Sequence, residues 1–194
     1  MNHQLFISEQ FQQSARIKQQ FVETYREMVW RTADIMSRAL QNGGKLLICG
    51  NGGSAADAQH FAAEMIGRLT RDRAPIPAMA LSTDTSILTA IANDYSVDDV
   101  FSRQVQALGT TKDILIALST SGNSPNVIKA VEFAKQRGLY SIALLGKGGG
   151  TLASLVDDAM IVPSHSSQRI QEVHITVIHT WCELIEDVLY PKQE

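Results

Sequence analysis

Apolar residues recur at roughly helical spacing from about 8 to 40, at Phe11, Ile17, Phe21, Tyr25, Met28, Ile35 and Leu40. Gly43-Gly44 ends the pattern, so the spacing predicts two helices, or one bent helix, ahead of any sheet. The next segment changes character. Lys45-Leu-Leu-Ile-Cys-Gly50 is a short, continuously apolar run closed by glycine, as expected of a strand buried on both faces. Similar runs lie at 78–81, 113–118, 140–145 and 159–162, each separated from the next by enough chain for a crossover helix. Alternating strands and helices predict an α/β fold with a mostly parallel sheet and helices on both faces. The last helix, about 168 to 189, is apolar on more than one stripe, with Ile170, Val173, Val177, Ile178, Trp181, Ile185 and Val188 flanked by Ile175 and Cys182. Such a helix needs cover on two sides, from a second copy or from a helix of its own chain.

Composition narrows the picture. A chain of 194 residues, 44% hydrophobic and 19% charged, can bury one ordinary core, and no Pro/Gly/Ser-rich run marks a linker, so a single domain over 1–194 is expected, with a helical segment at about 8–41. The net charge of -3 and the lack of a basic cluster argue against nucleic acid as a partner. Cys49 and Cys182 stand far apart in apolar contexts, which suits buried thiols of a reducing compartment, and the cytoplasm is the expected location. Met1-Asn2-His3-Gln4 is not the basic start of a signal peptide, and no apolar run reaches the roughly 18 residues of a membrane span.

Two loops have the chemistry to hold a phosphate. The strand at 113–118 runs into Ser119-Thr-Ser-Gly-Asn-Ser124, and Pro125 then opens a helix to about 136, with Ser124 a suitable N-cap and Pro125 a suitable first residue. Hydroxyls and backbone N–H groups converge there at the positive end of a helix dipole. An ordinary capped turn needs only one hydroxyl and accounts for Ser124 alone. After the first strand, Cys49-Gly-Asn-Gly-Gly-Ser54 lets backbone approach a ligand, with Ser54 and Asp57 spaced as an N-cap and its acid. Gly50, Gly52 and Ala55 also match a dinucleotide fingerprint, but Asp84 lies too far along to serve as its ribose-binding acid. Neither loop ends in the Gly-Lys-Ser/Thr of a nucleotide P-loop, and Gly146-Lys-Gly-Gly-Gly150 reads as a flexible turn.

The helix from 54 to about 69 carries His60 and Glu64 four residues apart on one face, a spacing that serves a base and its orienter, a metal pair or a surface contact. In the last helix, Gln171, Glu172, His174 and His179 are polar groups on an apolar element and demand partners. Gln171, Ile175 and His179 share one stripe and His174 falls on the other, so spacing does not choose between the two histidines.

Taken together, Cys49-Gly-Asn-Gly-Gly-Ser54, His60-Phe-Ala-Ala-Glu64, Asn93-Asp94, Phe101-Ser102, Ser119-Thr-Ser-Gly-Asn-Ser124 with Val127-Ile-Lys-Ala130, Arg169-Ile-Gln-Glu-Val-His174 and Val177-Ile-His179 resemble the sugar isomerase (SIS) domain family over nearly the whole chain. Within it the chain is similar to the phosphoheptose isomerases. The resemblance implies a flavodoxin-like three-layer sandwich with a five-stranded parallel sheet behind N-terminal helices, assembled as a homotetramer. It implies conversion of sedoheptulose 7-phosphate to D-glycero-D-manno-heptose 7-phosphate through an enediol, which opens ADP-heptose synthesis for the lipopolysaccharide core. Carried over by position, it implies substrate contacts from Asn51, Gly52, Gly53, Asn93, Asp94, Ser119, Thr120, Ser121, Ser124 and Gln171. Glu64 and His179 would be the acid/base pair, and one zinc per subunit would sit on His60, Glu64, Gln171 and His179.

Related SIS tetramers turn over no sugar and bind a DnaA-type replication initiator instead. The chain shares some of their flavour at Thr83-Asp84, Ala90-Ile-Ala-Asn-Asp94 and Pro163-Ser-His165. Glu64 and His179 favour catalysis over that alternative and over a sugar-phosphate sensor, neither of which needs an acid/base pair. The chain departs from the isomerase pattern at Ala55-Ala56, around Ser82-Thr83 and at Gln168.

Overall fold

The computed structural model describes residues 1–191. Five strands form one all-parallel sheet in the order β2-β1-β3-β4-β5, where β1 is Leu46–Gly50, β2 Ala78–Ala80, β3 Ile114–Ser119, β4 Tyr140–Leu145 and β5 Asp158–Ile161. Helices α1 (His3–Gln41), α2 (Gly53–Ile66), α3 (Thr85–Asp94), α4 (Ser102–Leu108), α5 (Pro125–Arg137) and α6 (Ser167–Leu189) fill the connections, so the α/β three-layer expectation holds.

Strand side chains alternate between two cores. Leu46, Ile48, Ile114, Ile116, Leu118, Ile142 and Leu144 face a core closed by α1, α2 and α6. Leu47, Cys49, Leu115, Ala117, Ala143 and Leu145 face the opposite core, closed mainly by α4 and α5. Burial on both faces is why the central strands read as unbroken apolar runs. Both cysteines are free and buried, as expected.

The N-terminal segment is one helix rather than two. Asn2 caps it, its side chain accepting from the Leu5 N–H at 3.2 Å, and no glycine or proline interrupts the 39 residues that follow. The buried positions of α1 begin only at Ile17. Helix α6 lies against the sheet and against α1, which cover most of its apolar surface within the chain. Trp181 marks the contact by donating its indole N–H to Thr32 Oγ1 at 3.0 Å and to the Val29 carbonyl at 3.2 Å.

After β1 the chain steps to β2 on one side, and every later strand is added on the other side. The loops leaving β1 and β3 therefore diverge over a switch point at the carboxyl ends of two paired strands, where α/β sheets bind ligands.

Candidate active site

The loop from β3 into α5 folds on its own hydroxyls. Ser119, buried at the end of β3, accepts from the Gly122 N–H at 3.1 Å, and its Oγ lies 3.2 Å from the Ser124 Oγ. Ser121 Oγ accepts from the Asn123 N–H at 3.2 Å. Ser124 occupies the N-cap position and Pro125 begins α5, but the Ser124 hydroxyl is turned toward Ser119 and no side chain caps the helix. The first-turn N–H groups of α5 therefore have no side-chain partner, the arrangement an anion site needs.

The glycine run at 146–150 is not the free turn its composition suggests. Gly122 sits so close to it, at φ +67°, that a Cβ there would meet the Gly149 carbonyl oxygen at 1.8 Å. Asn123 Oδ1 accepts from Thr151 N at 2.9 Å and Thr151 Oγ1 at 3.0 Å, and the Gly122 carbonyl accepts from Leu152 N at 3.0 Å. The run braces the hydroxyl loop from behind.

The loop after β1 meets the same opening. Asn51 and Asn126 exchange two side-chain hydrogen bonds of 2.9 Å, which tie the first loop to the first turn of α5. Sequence reasoning missed Asn126, since nothing local distinguishes an asparagine in a first turn. Gly52 occupies the N-cap position of α2 at φ +55°, so the helix starts one residue before Ser54, and neither Ser54 nor Asp57 caps it. Asp57 instead leaves a buried Oδ2 without a partner. Burial pushes its carboxyl up to about 6, and the nearby His60 pulls against that rise.

Helices α2 and α6 run side by side in the same direction. Gln171 meets the start of α2, its amide packed where a Cβ on Gly53 would be 2.3 Å from Nε2. Two turns farther along both helices, His60 Nε2 lies 2.9 Å from His179 Nε2 and 3.3 Å from Glu64 Oε1. The imidazole rings meet edge to face, with centroids 5.1 Å apart. His174, the alternative histidine, is fully buried with Nε2 3.2 Å from the Leu145 carbonyl, and burial drives its pKa down to about 4. It is a core group, whereas His179 meets the exposed His60.

The sequence-predicted residues thus fall into groups. Asn51, Gly52 and Gly53 stand with Gln171, Ser119, Thr120, Ser121 and Ser124 share the hydroxyl loop, and His60, Glu64 and His179 form a third cluster. Asn93 and Asp94 lie at the exposed end of α3, where the Asn93 amide donates to Asp94 Oδ1 at 2.8 Å.

Two imidazoles and a carboxylate are the donor types zinc takes, and two nitrogens on a tetrahedral zinc lie about 3.3 Å apart. The His60–His179 contact is closer than that, and among the described residues no group of three His, Cys, Asp or Glu side chains stands ready-made for an ion. The donors fit in kind, and a small opening of the histidine pair would admit the metal. Gln171 and His179 are about 12 Å apart along the helix, so Gln171 joins such a set only by reaching away from Gly53.

A family model described as SIS domain matches residues 9–146. A phosphoheptose isomerase of Thermodesulfovibrio yellowstonii is 52% identical over 184 residues, covering 95% of this chain and 92% of that protein. The structure of phosphoheptose isomerase GmhA from Neisseria gonorrhoeae superposes with a TM-score of 0.90 at 48% identity, over 96% of this chain and 100% of that one. A phosphoheptose isomerase from Francisella tularensis gives a TM-score of 0.92 at 37% identity with the same coverage. Matched in sequence and in fold over nearly its whole length, the chain belongs to the SIS domain family, in its phosphoheptose isomerase group.

Proposed function

We propose that the chain interconverts sedoheptulose 7-phosphate and D-glycero-D-manno-heptose 7-phosphate, the first step of ADP-heptose synthesis. Its family relatives and its site support the coarser statement, a sugar-phosphate isomerase. The observation that carries the finer one is the match to phosphoheptose isomerases over nearly the whole chain. The joining of Glu64 and His179 through His60, on helices that start at the switch-point end of the sheet, is consistent with it.

Moving a carbonyl from C2 to C1 transfers one proton between the two carbons and one between their oxygens, through an enediol. One base and one acid on the reacting atoms suffice. Glu64 takes the carbon proton and returns it to the neighbouring carbon, while His179 exchanges the oxygen proton. Ser119, Thr120, Ser121 and Ser124 hold the phosphate away from the reacting end, so its binding energy orients the chain of carbons. Asn51, Gly52, Gly53, Asn93, Asp94 and Gln171 are proposed to bind the hydroxyls between. Zinc is proposed on His60, Glu64 and His179, with Gln171 as a further ligand, and when bound it would polarise the carbonyl.

A homotetramer is proposed as well. An apolar groove of about 200 Å³ runs between α1 and α6, lined by Phe21, Val22, Trp30, Val173, Val177 and Leu184, and Leu5, Phe6 and Phe11 are exposed farther up α1. No described helix is long and apolar enough to cross a membrane.

The deciding experiment is incubation with sedoheptulose 7-phosphate, with and without a chelator, followed by detection of the aldose. Aldose in the absence of chelator supports the function, and its loss on chelation supports the metal. No aldose under either condition, even with zinc added back, refutes the substrate assignment.

A further inference from the structure

Arg73 lies in the segment that joins α2 to β2, yet its side chain is 2% exposed, and the Glu186 side chain it meets on α6 is 0% exposed. Burying two charges is costly unless the remaining donors and acceptors are matched, and here they are. Arg73 Nε donates to Glu186 Oε1 at 3.0 Å, and Nη1 donates to the Met65 carbonyl at 2.7 Å and to those of Gly67 and Ala74 at 3.2 Å. Nη2 donates to the main-chain carbonyl of Glu64 at 2.8 Å. Glu186 Oε2 accepts from Thr70 Oγ1 at 2.8 Å, and its Oε1 also accepts from the Leu69 N–H at 3.3 Å.

One guanidinium therefore closes the carboxyl end of α2, where helix carbonyls lack partners, and joins it to a carboxylate on α6. Glu186 stands seven residues after His179, two turns along nearly the same stripe. The Arg73 fork thus grips the backbone of Glu64 with one hand and the helix of His179 with the other. Neither residue faces the open site, and an apolar pair could fill the same space. An apolar pair could not satisfy the freed carbonyls or resist sliding of one helix along the other.

We propose that Arg73 and Glu186 are positioning residues for the isomerisation, fixing the axial register of α2 against α6 so that Glu64 and His179 stand at their working separation. The kinetic part of this proposal rests on the isomerase reading; the geometric part does not.

Arg73→Lys keeps the charge opposite Glu186 but loses the planar fork of donors. A misplacement of about 1 Å costs about 10²-fold, so kcat should fall by that order while KM for the sugar phosphate stays near its original value. In the metal-free full-length protein at fixed pH, the imidazole proton resonances of His60 and His179 should move beyond their linewidths, while those of His3 and His165 stay in place. Glu186→Gln, which keeps one acceptor oxygen for Leu69 and Arg73 and turns the atom facing the Thr70 hydroxyl into a donor, should show the same pattern more weakly and serves if the lysine variant does not fold.

A purely structural ion pair would lower the melting temperature and leave kcat and the imidazole resonances unchanged below it. That result in either folded variant overturns the proposal. Should the unaltered chain fail to turn over the sugar phosphate, the substrate assignment falls and the resonances alone decide whether the pair sets the histidine geometry.

Discussion

Gly53→Ala separates packing from chemistry at a single atom. Gly53 is the first residue of α2 and is not among the glycines with positive φ, so its backbone accepts a side chain. The added Cβ would lie 2.3 Å from Gln171 Nε2 and 2.8 Å from its Cδ, where ordinary contact begins near 3.4 Å. The obstacle is the far end of a flexible side chain, so Gln171 yields and its amide retreats by about 1 Å or more. Displacing it from its rotamer costs about 0.5–1.5 kcal/mol. Replacing glycine by alanine in a helix returns up to about 1 kcal/mol. Net stability should change by no more than about 1 kcal/mol, a shift of about 2–4 °C in Tm for a domain of this size. Activity should respond far more, because a group misplaced by about 1 Å costs about 10²-fold, or about 2.7 kcal/mol of transition-state stabilisation. The assay is kcat/KM for the sugar phosphate beside a thermal melt, with Gln171→Ala and the double variant as companions. If both substitutions act by removing one amide, the double variant is no worse than either single one. Near-normal turnover in Gly53→Ala, or additive losses in the double variant, would refute the role given to the Gly53–Gln171 contact.

Glu64→Gln should lower kcat by about 10²–10⁴-fold, the usual contribution of a general base, while substrate binding measured by calorimetry persists. Gly122→Ala should cost at least about 1–2 kcal/mol from its left-handed backbone alone, and because its Cβ would strike the Gly149 backbone it should also raise KM through the anion loop. At the far end of the sheet, burial would raise the Asp113 carboxyl, but hydrogen bonds from Lys45 and Thr110 outweigh it and hold the pKa below its ordinary 3.8. The stability this group confers is therefore present above the unfolded value and is lost as pH falls through the lower folded one. Asp113→Asn should be less stable at pH 7 by about 2 kcal/mol, with the gap closing on acidification and activity at permissive temperature unchanged.

The sheet was legible because its central strands are buried on both faces, which turns each into an uninterrupted apolar run with glycine at its exit. The short helices α3 and α4 carry no comparable signal, since Ile91 is the only buried residue of α3 and α4 spans seven residues. Capping chemistry misled at α2, where Ser54 and Asp57 have cap spacing but the backbone of Gly52 starts the helix, and Asp57 goes inward unpaired. The hydroxyl loop was legible as a motif because all of its parts lie within six consecutive residues. Its support was not, because Asn126, Thr151 and the glycine run reach it from elsewhere in the fold.

The chemical cluster shows the same boundary more sharply. Helical spacing placed His60 with Glu64 and Gln171 with His179, but a periodic stripe repeats every turn and says nothing of which turn of one helix meets which turn of another. Three contacts in this fold answer that question together: Gly53 with Gln171, His60 with His179, and the Arg73 segment with Glu186. A slip of one turn, about 5.4 Å, would keep both apolar stripes buried and break all three. The register that brings Glu64 and His179 together through His60 is therefore held by polar contacts that hydrophobic patterning cannot encode. The buried ion pair is the only one of the three that lies outside the site and can be altered without touching substrate.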